Sequence, residues 1–159
     1  MRKFVSTILA MVIISLSLLM SPAAASANEQ TFYFTVEATS ECPAHTISNP
    51  FSNASILTAN AQGAWNNGPN LPKVNPNGDF SQPCDSCEFP VPPNKINELI
   101  AYDQTMPPGF TLGGGASMNF EVYPGQRISF CQNDARGTHY DNQGSAEVFV
   151  RITTQEPLK

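Results

Sequence analysis

The densest run of oxygen-bearing side chains in this sequence is Asn133-Asp134-Ala135-Arg136-Gly137-Thr138-His139-Tyr140-Asp141-Asn142-Gln143-Gly144-Ser145. Such a composition suits a hard cation. Calcium draws its ligands from carboxylates, amide carbonyls and backbone carbonyls, and Asp134, Asp141 and Asn142 offer the side-chain oxygens while Gly137 and Gly144 permit tight bends. The spacing is not that of an EF-hand. Read on composition alone, the same run is also an ordinary loop between strands, held by Asx-turns. His139 offers nitrogen, which calcium avoids, and is expected to be an exposed loop residue.

Other chemistries find less support. The cysteines are Cys42, Cys84, Cys87 and Cys131, an even set that in an exported chain favours two disulfides. The expected pairing is Cys84 with Cys87, a short closure, and Cys42 with Cys131, a long one that restricts the unfolded chain most. Cys84-Asp85-Ser86-Cys87 matches the C-x-x-C redox pattern, but it lies in a Pro-rich stretch with no helix behind it to lower a thiol pKa. A four-thiolate zinc site would need a second close pair, which Cys42 and Cys131 do not form. Asp79, Asp85, Glu88, Asp134 and Asp141 could furnish a carboxylate pair for glycoside hydrolysis. No nucleophile elbow, zinc helix motif or supported Ser/His/Asp set accompanies them, so no enzymatic activity is expected.

The elements that would position the loop are strands. Phe32, Phe34, Val36 and Ala38 alternate with polar residues, as do Met118, Phe120 and Val122, and Ala146, Val148, Val150 and Ile152; period-two alternation offers one face of each run to a core. Ile128 and Phe130 form a similar face after Tyr123-Pro124-Gly125-Gln126, so Met118–Val122 and Arg127–Gln132 are expected to make a hairpin. Further strands are expected at Ser55–Trp65, at Asn97–Tyr102 and, shorter, around Phe110–Leu112. Gly113-Gly114-Gly115 reads as a turn between strands, with no helix after it to make a phosphate cradle. Between Asn66 and Asn94 the abundance of Pro, Asn and Gly predicts a long ordered loop system. Trp65, at a strand end, suits either the core or a platform for a sugar ring. His45 has no partner pattern, and Asn53-Ala54-Ser55 matches a glycosylation sequon. The whole reads as an all-β antiparallel sandwich.

At the N-terminus, Arg2 and Lys3 precede an apolar run from Ile8 to Met20, and Ala25-Ser26-Ala27 follows as a small-residue cleavage site. This predicts a signal peptide over 1–27, export to the periplasm or medium, and one domain from Asn28 to Lys159 with no integral membrane segment after processing. The chain has 8 Lys and Arg against 13 Asp and Glu; without Arg2 and Lys3 the net charge is about −7, which disfavours nucleic acid and anionic membranes as partners.

Asn133-Asp134-x-x-Gly137-Thr138-x-x-Asp141-Asn142-x-Gly144-Ser145, followed by an alternating strand, resembles the calcium and sugar loop of the PA-IL type (LecA-like) galactose-binding lectins. Gly63-Ala64-Trp65-Asn66-Asn67-Gly68-Pro69, the strand beginning Asn97-Glu98-Leu99-Ile100-Ala101, Phe110 to Gly114 and the Gly125 turn follow in that family's order. The resemblance implies a jelly-roll-like sandwich, a galactose-binding-domain-like fold, whose calcium is finished by two sugar hydroxyls. It further implies calcium ligation by the side chains of Asp134, Asp141 and Asn142 and by the backbone carbonyls of Asn67 and Thr138. Sugar contacts would fall to Gln82, Pro83, Asp134, Ala135, Thr138 and Asp141. Where the family has a His-Pro pair, this chain has Gln82-Pro83, and Asp141 stands where the galactose binders carry Asn. The insertion holding Cys84 and Cys87 reshapes the adjacent loop, so the glycan need not be a galactoside. Lectins of this family assemble, and weak single-site affinity makes a homo-oligomer expected. The alternative function is a calcium-stabilised structural or protein-binding module without sugar affinity.

Overall fold

The computed structural model describes residues 28–79, 94–106 and 110–154. The strands are β1 (Glu29–Glu37), β2 (His45–Ser48), β3 (Ser55–Asn66), β4 (Leu99–Asp103), β5 (Gly113–Gly114), β6 (Ser117–Val122), β7 (Arg127–Gln132) and β8 (Gln143–Thr154). A single 3₁₀ turn, His139–Asp141, lies between β7 and β8. The strands form two antiparallel sheets, in the orders β1-β8-β3-β6 and β2-β7-β4-β5. Among the described residues this is an eight-stranded jelly-roll arrangement, in which the chain passes repeatedly from one sheet to the other.

Alternation decides which side chains meet between the sheets. Val36 and Ala38 of the first run, Leu57 and Ala59 of β3, and Ala146, Val148, Val150 and Ile152 of β8 are buried together with Ile128 and Phe130 from the opposite sheet. Burying a side chain such as Leu57 or Ile152 contributes about 1.5–3 kcal/mol, and none of these residues is more than marginally exposed. The long strands β3 and β8 pair along their full length, from Ser55 with Thr154 to Asn66 with Gln143. They form the spine of the first sheet.

One disulfide ties the second sheet to the chain's first crossover: Cys42, just before β2, bonds Cys131 in β7. This is the expected long closure. The expected Cys84–Cys87 pair lies outside the described residues.

The expected hairpin of Met118–Val122 with Arg127–Gln132 is not formed. β6 pairs with β3, and β7 with β2 and β4. The turn itself exists, with the Gln126 backbone N–H donating to Tyr123 O at 3.0 Å and the Gln126 side chain accepting from Tyr123 N at 2.9 Å. Its remaining backbone groups bond elsewhere: Gly125 N donates to Asn49 O and Asn49 N to Gln126 O. The turn is therefore a corner between sheets. Gln126 Nε2 also donates to Asp103 Oδ2 at 2.8 Å, pinning that corner to the end of β4.

Smaller differences follow from backbone pairing. Phe110–Leu112 is not a strand; pairing begins at Gly113–Gly114, expected as a turn, which faces Ala101 and Ile100. A Cβ added to Gly114 would lie 2.6 Å from a Glu98 carboxylate oxygen, so any larger residue there would displace the Glu98 side chain. β4 starts at Leu99 and not at Asn97, since Asn97 adopts φ 61°, a conformation that Asn tolerates but a strand does not. The short β2 had no clear alternating signal.

Candidate functional site

The loop after β7 leaves the sheet through Asn133. Its backbone extends the β4–β7 ladder, with Asn133 N donating to Glu98 O and Asn97 N to Asn133 O, and its amide donates to Lys95 O at 3.1 Å and Asn94 O at 3.3 Å. Asn133 is therefore a fixed base. Beyond it, Asp134 is buried and its carboxylate organises the curl: Oδ1 accepts from Ala135 N at 2.8 Å, while Oδ2 accepts from Thr138 Oγ1 at 3.3 Å and Asn142 Nδ2 at 2.8 Å. Thr138 closes the turn by donating from Oγ1 to Ala135 O at 2.7 Å.

Asn142 is the loop's other anchor. Its Nδ2 also lies 3.2 Å from Ala38 O and from Gln132 Oε1. Its Oδ1 is buried and has no hydrogen-bond partner. An unmet buried acceptor costs about 1–3 kcal/mol, so a donor or cation beside Asn142 Oδ1 would be stabilising there.

Behind the loop runs a chain of buried amides. Gln132 Nε2 donates to Asn97 Oδ1 and to Asn66 O, and Asn97 Nδ2 donates to Asn67 Oδ1 at 3.2 Å. Asn66 Oδ1 accepts from Gln143 N at 2.9 Å, binding the start of β8 to the end of β3. The Asn67 loop and the Asp134 loop are thus joined through Asn97, Gln132 and Asn142. Asp141 enters from the same side, its Oδ2 3.9 Å from the position a Cβ would take on Gly68. Asn67, distant in sequence, thus lies at the same pole as Asp134, Thr138, Asp141 and Asn142 of the later loop. Ala135 is half-buried beside them, and Gln82 and Pro83 lie outside the described residues.

Trp65 belongs to the core: it is fully buried, with Nε1 donating to Asn97 O at 2.6 Å. It does not present a ring to a ligand. His139 corrects the expectation of an exposed residue, for it is wholly buried. The 3₁₀ turn folds it under the loop, with Nε2 3.4 Å from Gln132 O and Nδ1 3.2 Å from Glu41 Oε2. Glu41, overlooked in the sequence, also accepts from Gly137 N at 2.9 Å and so clamps the loop from outside. Its one signal was its place beside Cys42, whose partner Cys131 adjoins Gln132.

As a donor set the pole is rich in oxygen. Among the described residues no group of three or more His, Cys, Asp or Glu is placed to hold a metal ion. Asp134 and Asp141 are thus the available carboxylates, and the remaining ligands of a bound cation would be amide and backbone carbonyls. That balance fits a hard ion such as calcium and not zinc. The unmet Oδ1 of Asn142, whose Nδ2 holds the Asp134 carboxylate, is an acceptor such an ion would satisfy.

No family model matches the chain, and no curated protein does. Among solved structures, the chain is similar to one described as "EclA N-terminal domain; PllA-like lectin", with 18% identity, coverage of 76% of this chain and 95% of that one, and a TM-score of 0.52. By fold, the protein is an all-β, lectin-like sandwich.

Proposed function

We propose that the protein is an exported, non-enzymatic, calcium-dependent carbohydrate-binding protein of the PA-IL type. The observation that carries this reading is the buried, unpartnered Oδ1 of Asn142, an amide whose Nδ2 donates to the Asp134 carboxylate, at one pole of a sandwich with a lectin-like fold. Asp134, Asp141 and Asn142 would hold calcium through side chains, and Asn67 and Thr138 through backbone carbonyls. When bound, the ion would supply positions for two vicinal sugar hydroxyls, neutral hard-oxygen ligands that replace water without charge repulsion. The chain's own residues fix the donors in advance: Gln132 and Asn97 hold the two loops together, and Glu41 restrains Gly137. Gln82-Pro83 would set which sugar is preferred.

The test is a glycan array probed with the purified protein in calcium and again after chelation, repeated with Asp134→Ala. Calcium-dependent spots that the substitution abolishes are expected. Sugar binding retained by Asp134→Ala would overturn the reading. A rise in melting temperature with calcium, without glycan binding, would instead identify a metal-stabilised module with another partner.

A further inference from the structure

The outward face of the first sheet carries a second, unrelated feature. Strand register sets Tyr33, Phe149 and Asn60 in one row across β1, β8 and β3, and Thr35, Glu147 and Gln62 in the next. Because period-two alternation sends their neighbours inward to the core, these side chains point to solvent. Tyr33 is 66% exposed and Phe149 45%. Together with Asn60, Ala61, Gln62 and Glu147 they line a groove of about 300 Å³.

The polar side of this groove is prearranged. Gln62 Nε2 donates to Glu147 Oε2 at 3.0 Å, and the same carboxylate, chiefly by favouring the protonated phenol as a hydrogen-bond donor, raises the Tyr33 pKa above its ordinary value. Neither salt bridge among the described residues involves Glu147, so no cation pairs with it directly, although Lys73 lines the adjoining groove with it. The groove holding Tyr33 and Phe149 therefore carries an acidic edge and no basic lining residue. A neutral ring with an apolar face and hydroxyls at its edge matches both halves: aromatic faces are electron-rich and attract C–H groups, while the carboxylate and the amides of Gln62 and Asn60 supply acceptors and donors for hydroxyls.

A larger, more open groove of about 490 Å³ adjoins it, sharing Gln62 and Glu147 and reaching Gly144 and Ser145 at the start of β8. The two grooves give room for more than one sugar ring along the face.

We propose that this face is a calcium-independent binding site for neutral oligosaccharides, with Tyr33 and Phe149 stacking on a pyranose ring and Glu147, Gln62 and Asn60 taking its hydroxyls. The site uses no residue of the Asp134 loop, and it stands whether or not that loop binds a cation.

The experiment is an array of neutral di- to hexasaccharides probed with the purified protein in excess EDTA, alongside Tyr33→Thr and Phe149→Thr. Thr keeps strand propensity at these solvent-facing positions, and an unchanged melting temperature verifies the fold. Spots that persist in EDTA and weaken about tenfold in each variant are expected. Absence of EDTA-resistant spots, or spots indifferent to both substitutions, would overturn the proposal. So would a dimer, seen by sedimentation, that both substitutions dissolve without any EDTA-resistant glycan binding, since the face would then belong to a second copy of the chain. Failure of the loop as a calcium lectin is read separately, from the absence of spots that chelation removes.

Discussion

Two titrating side chains, neither in the loop, set how the protein should respond to acid. Asp103 is buried at the end of β4; burial alone would raise its pKa, but hydrogen bonds from Thr105 N, Thr105 Oγ1 and Gln126 Nε2 outweigh it and the net shift is downward from 3.8. A carboxylate whose folded pKa is lowered contributes stability above its unfolded value and loses it as pH falls through the folded one. His45 stacks on Phe34, with ring centroids 3.8 Å apart, and burial lowers its pKa from 6.5. Here the unfolded chain takes the proton first, so stability declines once pH drops below that value. Denaturant unfolding followed from neutral pH downward should therefore show two declines. The upper one should vanish in His45→Phe, and the one below the usual carboxylate range should shrink in Asp103→Asn.

The β3–β8 ladder is the element with least tolerance. Gly63 has φ 138° and an added Cβ would lie 2.2 Å from Ser145 O; Gly144 has φ 100° and its Cβ would lie 2.1 Å from Ala64 O. Both clashes are with backbone, which a side-chain shift cannot relieve. Gly63→Ala or Gly144→Ala should each cost about 2–4 kcal/mol in denaturant unfolding, from overlap and left-handed strain together. Strands of this kind were legible in the sequence. The alternation in Phe32–Ala38, Ser55–Trp65 and Ala146–Ile152 marked their core faces because one side is wet and the other dry. Partnership was not legible: Tyr123–Gln126 signals a reversal, yet nothing local says whether the strand after it rejoins the same sheet or crosses to the other. The candidate loop was legible as a cluster of oxygens, whereas the burial of His139 and the role of Glu41 depend on contacts between residues about a hundred positions apart, which no short window contains.

At the scale of the whole molecule, the Cys42–Cys131 bond matters more than its place in one sheet implies. It closes a sequence separation of 89 residues, and loss of so long a closure enlarges the unfolded ensemble. Cys42→Ser with Cys131→Ser should lower unfolding stability by about 2–5 kcal/mol, measured by denaturant titration of both forms. β1 and β8 lie side by side and antiparallel, so Asn28 and Thr154 meet at one end, hydrogen-bonded to each other, while Glu37 and Ser145 meet at the other, beside the loop. Tension applied between Asn28 and Thr154 would thus act on one rung at a time, opening the ladder like a zip from Glu29 and Thr153 toward Glu37 and Ser145. Peeling of the leading strand would stop at the covalent link through Cys42. The pole bearing Asp134 would be the last part of that seam to feel the load, and a molecule held by both ends could yield as a short, soft spring while its loop stayed folded.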